Sequence, residues 1–225
     1  MQFKYFYYCL FIITSQLLLS QEKQYISEIT FKGNDNVYSA ELHSILLLKQ
    51  PTLFFRHEFT PKKLNRDKIG LIAFYKSKGY LEVQVDSKIT KISDEYVSIQ
   101  FIIIEGNPYI LKSVEYFGNK QLSDEDIEAF LQLPVNNRYN PVHFKNQLKE
   151  LKRIYLRIGK LNISIMDEVT VDGLNIHSRI NISEGDTYFI DSVYVTGLEL
   201  VGKKYINREI VFSPGEYYDI DKIDE

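Results

Sequence analysis

One stretch constrains this chain more than any other, because it occurs twice. Residues 97–118, VSIQFIIIEGNPYILKSVEYFG, return without a gap as residues 176–197, IHSRINISEGDTYFIDSVYVTG. Glu105 and Glu184, Gly106 and Gly185, Tyr109 and Tyr188, Val114 and Val193, and Gly118 and Gly197 are each 79 positions apart. A period of that size is the mark of a supersecondary unit laid down in tandem, with the Glu-Gly turn as the joint between copies. An earlier copy opens at Tyr25: Ile29, Phe31 and Gly33 align with Val114, Tyr116 and Gly118 at an offset of 85. The first unit therefore carries an insertion, which the alignment puts at residues 49–61, KQPTLFFRHEFTP. Leu53-Phe54-Phe55 within it is expected to fold back over the unit's own core rather than stand out as a docking patch.

Within each unit the hydrophobic period changes in a fixed order. A strand ends at Gly33 or Gly118. A short helix follows, from Ser39 to about Leu48 in the first unit and after Ser123-Asp-Glu-Asp126 in the second. Ser39 is the expected N-cap of the first, with Glu41 favouring its dipole. Pro61 and Pro141 suit the first turn of a second helix, with stripes Leu64, Leu71, Phe74, Tyr75 and Phe144, Leu148, Leu151, Ile154, Tyr155. Gly79 and Gly159 stand where a left-handed residue ends a helix. Alternation then begins at once, Leu81, Val83, Val85 and Leu161, Ile163, Ile165, and a turn leads to the last strand. The unit is strand, helix, helix, strand, strand. The fold class is α+β, with tandem β-α-α-β-β repeats, two complete and a third truncated. The expected divisions are a signal peptide at 1–20, unit 1 at 24–107, unit 2 at 108–186 and a partial unit 3 at 187–225. In the third unit Ile206, Ile210 and Val211 mark the first helix, and its second and third strands would lie past Glu225.

Residues 1–20 read as a secretory signal: Lys4, then an apolar run from Tyr5 to Leu19 broken only by Thr14, Ser15 and Gln16. Cys9, the only cysteine, lies inside that run, so an exported chain cleaved near Ser20 has no thiol and no disulfide. A net charge of −3 gives no basic face for nucleic acid, and none is expected as a partner. His43, His57, His143 and His177 fall at unrelated places in the repeat, with no second ligand at metal spacing. Asp219, Asp221, Asp224 and Glu225 lack the glycine and the terminal glutamate of a calcium loop and coincide with a helix start. Glu105 and Glu184 occur once per repeat at turns, which suits structure better than paired acid–base work. There is no phosphate loop or nucleophile elbow. No catalytic, cofactor or metal site is expected.

The strand ends Phe31-Lys-Gly33-Asn34 and Tyr116-Phe-Gly118-Asn119, the helix exit Tyr75-Lys-Ser-Lys-Gly79-Tyr80 and the Glu-Gly joints together resemble POTRA domains. They look like the periplasmic arm of the BamA/TamA superfamily of outer-membrane assembly factors, over Tyr25 to Glu225. The resemblance implies a place at the periplasmic face of the outer membrane of a Gram-negative-type bacterium. It implies unfolded outer-membrane proteins and assembly lipoproteins as partners, and attachment to the membrane through a C-terminal barrel that these 225 residues do not contain.

For such an arm the physical mechanism is β-augmentation, in which an extended segment completes the ladder of an exposed sheet edge. The second strand of each unit is the expected edge, with a groove between it and the second helix. The candidate partner-binding residues are Leu81, Glu82, Val83, Gln84 and Val85 in unit 1, and Leu161, Asn162, Ile163, Ser164 and Ile165 in unit 2. Alternative readings keep the fold and change the role to that of a two-partner-secretion-type transporter, a single-domain division protein or a stand-alone periplasmic binding module. A secreted enzyme is the remaining class, and no constellation of residues favours it.

Overall fold

The computed structural model describes residues 23–194, 196–197 and 213–224. The expected signal segment, with Cys9, lies outside them, as do Ile206, Ile210 and Val211. The described chain divides into two compact units, one running to Ala73 and again over Val83–Glu105, the other Phe74–Glu82 and from Gly106 onward.

The first repeat comprises β1 (Tyr25–Lys32), α1 (Ser39–Ile45), α2 (Pro61–Ser77), β2 (Gln84–Lys91) and β3 (Tyr96–Ile104). The second comprises β4 (Ile110–Phe117), α3 (Asp124–Leu131), the two-residue β5 (Asn137–Arg138), α4 (Pro141–Arg157), β6 (Ser164–Asp172) and β7 (Asn175–Ser183). A short α5 (Ile220–Asp224) follows. The sheets run β1-β3-β2 and β5-β4-β7-β6. In each the last strand is central, parallel to the first and antiparallel to the second. Even the irregularities match, with a register shift between Ile26 and Glu28 in β1 and between Leu111 and Ser113 in β4.

Alternating strand faces meet the helical stripes in the cores. Ile26, Ile29, Leu42, Leu71, Ile99 and Phe101 are fully buried in the first. Leu111, Ile127, Leu151, Tyr155, Ile176 and Ile180 do the same in the second. Each such aliphatic side chain contributes about 2 kcal/mol of burial.

The Gly-Asn pair after the first strand has a two-part physical cause. Gly33 (φ +83°) and Gly118 (φ +85°) turn left-handed directly against the central strand. A Cβ there would lie 2.1 Å from the Ile103 carbonyl oxygen or 2.2 Å from that of Ile182. The asparagine then closes the loop. Asn34 Nδ2 donates to the Val37 carbonyl at 2.8 Å and to Ser39 Oγ at 3.1 Å. Asn119 Nδ2 donates likewise to the Leu122 carbonyl at 3.0 Å and to Asp124 Oδ1 at 2.8 Å.

Those bonds correct the expected start of α1. Ser39 is not its N-cap: Tyr38 is, without a side-chain cap, because the Ser39 hydroxyl sits inside the helix and accepts from Asn34. In α3 the cap falls at the same place in the repeat as Tyr38, on Ser123, which does cap, in a reciprocal capping box with Asp126. Nor does α1 reach Leu48. It stops at Ile45, because the buried Asp67 carboxylate of α2 accepts from the amides of Leu47 (2.6 Å) and Leu48 (2.9 Å) and draws the chain out straight.

The link between the helices is residues 46–60 in the first repeat and the shorter 132–140 in the second, which locates the insertion. Its aromatic run does not cover the core. Leu53, Phe54 and Phe55 are 97, 88 and 67% exposed. The core is already sealed by Leu46 and Leu48, and a Thr52–Phe55 turn holds the run outward.

Both repeats close the start of the first strand with the segment ahead of the second helix. Tyr25 bridges Glu58, and Ile110 pairs with Arg138 of β5. Phe189 bridges Tyr217 in the same way, a third copy of the contact. Beyond that bridge the expected first strand of the third unit is absent among the described residues. Tyr25 and Ile110 are held further by Tyr96 and Asn175 of their units' last strands. Asp221 is engaged by Arg153 and Arg157 of α4.

The Glu-Gly joint is a buried polar clamp. Glu105 accepts from the backbone and side-chain amides of Asn36. Glu184 accepts from the amides of Lys120 (2.7 Å) and Gln121 (2.8 Å) and pairs with the buried Lys160 ammonium at 3.3 Å. Burial alone would raise the Glu184 pKa, but these donors together hold it below the ordinary glutamate value. A depressed carboxyl stabilises the fold above its unfolded pKa of about 4.3, and that stability is lost as pH falls through the folded value.

These contacts set the expected effects of three substitutions. Gly118→Ala is expected to cost about 3 kcal/mol through left-handed strain and the carbonyl clash. Gly70→Ala, in the middle of α2 with nothing near its Cβ, should stabilise by about 0.5–1 kcal/mol. Urea midpoints at neutral pH check both. Glu184→Ala should cost about 3 kcal/mol by stranding Lys160. The wild-type chain should lose stability as pH drops below about 4, and the same titration run with the variant should be flatter there.

Candidate peptide-binding edge strands

The topology decides which backbone groups are left over. With the last strand central, β2 and β6 are, among the described residues, hydrogen-bonded on one side only. They pair along their whole lengths, Gln84–Lys91 with Ile104–Val97 and Ser164–Asp172 with Ser183–Asn175. Each presents the other row of amides and carbonyls at the sheet border.

Ten residues were expected on this edge, and the structure separates them. Gln84, Val85, Ser164 and Ile165 lie on the edge strands. Val83 and Ile163, 6 and 4% exposed, precede the strands as buried anchors. Leu81, Glu82, Leu161 and Asn162 are not strand residues but form the turn that leaves the second helix. The helix exit itself is the cause. Left-handed Gly79 and Gly159 let the Tyr80 and Lys160 amides bond back to the carbonyls of Tyr75 and Tyr155, and further residues are needed to reverse the chain. The turn also receives the repeated tyrosine of the joint. Tyr109 Oη donates to Glu82 Oε1 at 3.0 Å, and Asn162 Nδ2 donates to Tyr188 Oη at 3.0 Å. Alternating hydrophobicity from Leu81 onward cannot distinguish such an anchored turn from a strand.

A groove of about 450 Å³ runs between α4 and β6. Phe144, Leu148 and Ile165 form its apolar floor, and Lys145, Lys149 and Lys152 supply three cations from the helix. Asp167 faces them from β6. Burial pushes the Asp167 carboxyl up, against the opposing effect of the hydrogen bond it accepts from Ser178 Oγ. Tyr139, at the groove's end, is raised by its own burial and then by Asp167. Such a cleft offers apolar contact to alternate side chains of a strand and positive charge along one wall. In the first repeat the corresponding side of β2 is bridged by Lys68 of α2, 3.6 Å from Asp86.

Two of the four histidines are tied into structure. His177 Nδ1 meets Ser113 Oγ at 2.8 Å, and His43 packs edge-on against Phe31. Among the described residues no three His, Cys, Asp or Glu side chains gather in a metal-like cluster, and no described helix is long and apolar enough to cross a membrane.

Comparison with known proteins agrees with this architecture. The family model for POTRA, described as a surface antigen variable number repeat, matches residues 24–106 and 109–185. The outer membrane protein assembly factor BamA of Buchnera aphidicola is 28% identical over 222 residues, 91% of this chain and 35% of the relative. BamA of Neisseria meningitidis is 24% identical over 174 residues, 72% of this chain and 22% of the relative. The chain thus spans about a third or less of the length of these curated relatives. The crystal structure of Haemophilus influenzae BamA POTRA3-5 shares the fold at a TM-score of 0.56 and 17% identity, covering 92% of this chain and 85% of that one. Two matched repeats, each with the last strand central and the second strand at the border, place this chain in the POTRA family.

Proposed function

We propose that this chain is the periplasmic POTRA arm of an outer-membrane β-barrel assembly factor, and that it binds extended client or partner segments by adding them to the edges of β2 and β6. One observation carries the reading: among the described residues both sheets leave the same strand unpaired on its outer side, and in the second that strand borders an apolar, lysine-walled groove. Main-chain pairing supplies affinity that depends little on sequence, which suits a protein that handles many unfolded barrels. The names carried by the sequence relatives support the same role. In this reading the arm works in the periplasm, its repeats span residues 24–107 and 108–186, and a third begins at 187. Its partners are unfolded outer-membrane proteins and assembly lipoproteins, and the membrane is reached through a barrel beyond Glu225. The work is binding and positioning, with no catalytic step.

The lysines make the second edge the stronger site, since a strand bearing carboxylates on its helix-facing side gains from Lys145, Lys149 and Lys152. A photoreactive group attached at Ser164→Cys or Gln84→Cys in the full-length protein should crosslink an unfolded barrel protein. The same group at Glu125→Cys, on the exposed first turn of α3, should not. Raising the salt concentration should weaken the Ser164 crosslink more than the Gln84 one. Equal labelling at all three positions would overturn the edge-strand reading.

A further inference from the structure

The two repeats differ at the opposite border of the sheet, along the outer side of the first strand. Its beginning is closed alike in both, by Glu58 against Tyr25 and by Arg138 against Ile110. Further along they part. In the first repeat the Gln50 carboxamide acts as a one-residue strand: its Nε2 donates to the Ile29 carbonyl at 2.6 Å, and the Ile29 amide donates to its Oε1 at 3.1 Å. Leu48, two residues earlier, is buried at 2% exposure.

Val114 occupies the position of Ile29. It follows the same register shift and pairs with Ser178 as Ile29 pairs with Ile99. Its amide and carbonyl therefore point away from β7, as those of Ile29 point away from β3. The shorter link 132–140 turns at Gln132 (φ +46°) and Asn136 (φ +63°). Its Asn136 amide donates to the Leu111 carbonyl at 2.7 Å, and Gln132 lines the space beside Val114, but among the described residues no hydrogen bond from the link reaches the Val114 main chain as Gln50 reaches Ile29. A groove of about 520 Å³ lies there instead, between β4 and α3. Val114, Tyr116, Leu133 and Val135 give it apolar surface, with Lys112 and Glu128 also in its lining.

We propose that this groove binds an extended peptide segment of a partner protein, which presents one amide to the Val114 main chain as Gln50 does to Ile29. The first repeat shows the chemistry the occupant needs: an uncharged group that donates and accepts side by side, with an apolar residue two positions before it. A glutamine carboxamide or a backbone peptide unit meets that requirement, and a carboxylate does not. The insertion of the first repeat is then an internal plug, and the second repeat is the copy left open. This groove is separate from the edges of β2 and β6, and its occupancy does not depend on the role assigned to them.

The test uses the plug itself as probe. An acetylated, amidated peptide of residues 48–54, LKQPTLF, is titrated into the full chain while backbone amides are followed by nuclear magnetic resonance. The Val114 and Leu133 amides should shift and saturate. The same peptide with glutamate in place of glutamine should bind roughly tenfold more weakly, since it cannot donate to the Val114 carbonyl. Replacing 132–140 by 46–60 should close the groove and abolish the shifts. Val135→Trp, which fills the groove from a half-exposed position, serves the same end if the graft fails to fold. No saturable shift at Val114, or equal affinity for the glutamate peptide, would overturn the proposal. Shifts confined to Ser164–Asp172 would also overturn it while leaving the β6 reading intact.

Discussion

The parallel pairing of each unit's first strand with its last is the constraint on which everything else hangs. Tyr25 meets Tyr96 and Ile110 meets Asn175, so a unit cannot close until its final strand exists. Loop-closure entropy has to be met before those contacts return anything. The buried carboxylates of Glu105 and Glu184 sit at the end of that last strand and reach back to the loop after the first. Gly33 and Gly118 let that loop press against the last strand's carbonyls. The joint motif and the Gly-Asn motif are thus two halves of one contact, which is why they recur together. Placing the last strand in the centre forces the second strand to the border. The open edge is therefore a consequence of topology and would persist through wide changes of surface sequence.

That logic also explains what was legible in the sequence. The order of elements, both helical stripes and the position of the edge strand could be read because each rests on a local period or a glycine with a steric duty. The start of the edge strand could not. Leu81 and Val83 alternate with polar neighbours whether the chain is pleated or turning, and only the hydrogen bonds back from Tyr80 and to Glu82 reveal the turn. The fate of Leu53-Phe54-Phe55 was likewise illegible. Hydrophobicity alone argued for burial, but Asp67 and Gln50 had already directed the link so that Leu46 and Leu48 filled the core. Both departures come from long-range polar contacts that leave no periodic trace.

Divergence between copies of a repeat is more informative than their agreement. Where both units keep a residue, as at Gly33 and Gly118, the cause lies in closing the fold. Where one unit adds residues and the other does not, the fold closes either way, so the addition answers some other demand. The added residues of the first unit deliver an amide to the outer edge of β1, a border that would otherwise expose main-chain donors and acceptors. Unpaired edges invite unwanted association, and capping them is a common defence. Defence alone would predict the same cap on both repeats. The second repeat leaves Val114 beside a groove with apolar walls, so that edge is either a liability kept without reason or a surface with a use. An amide in the plug's own register is the least that such a use requires.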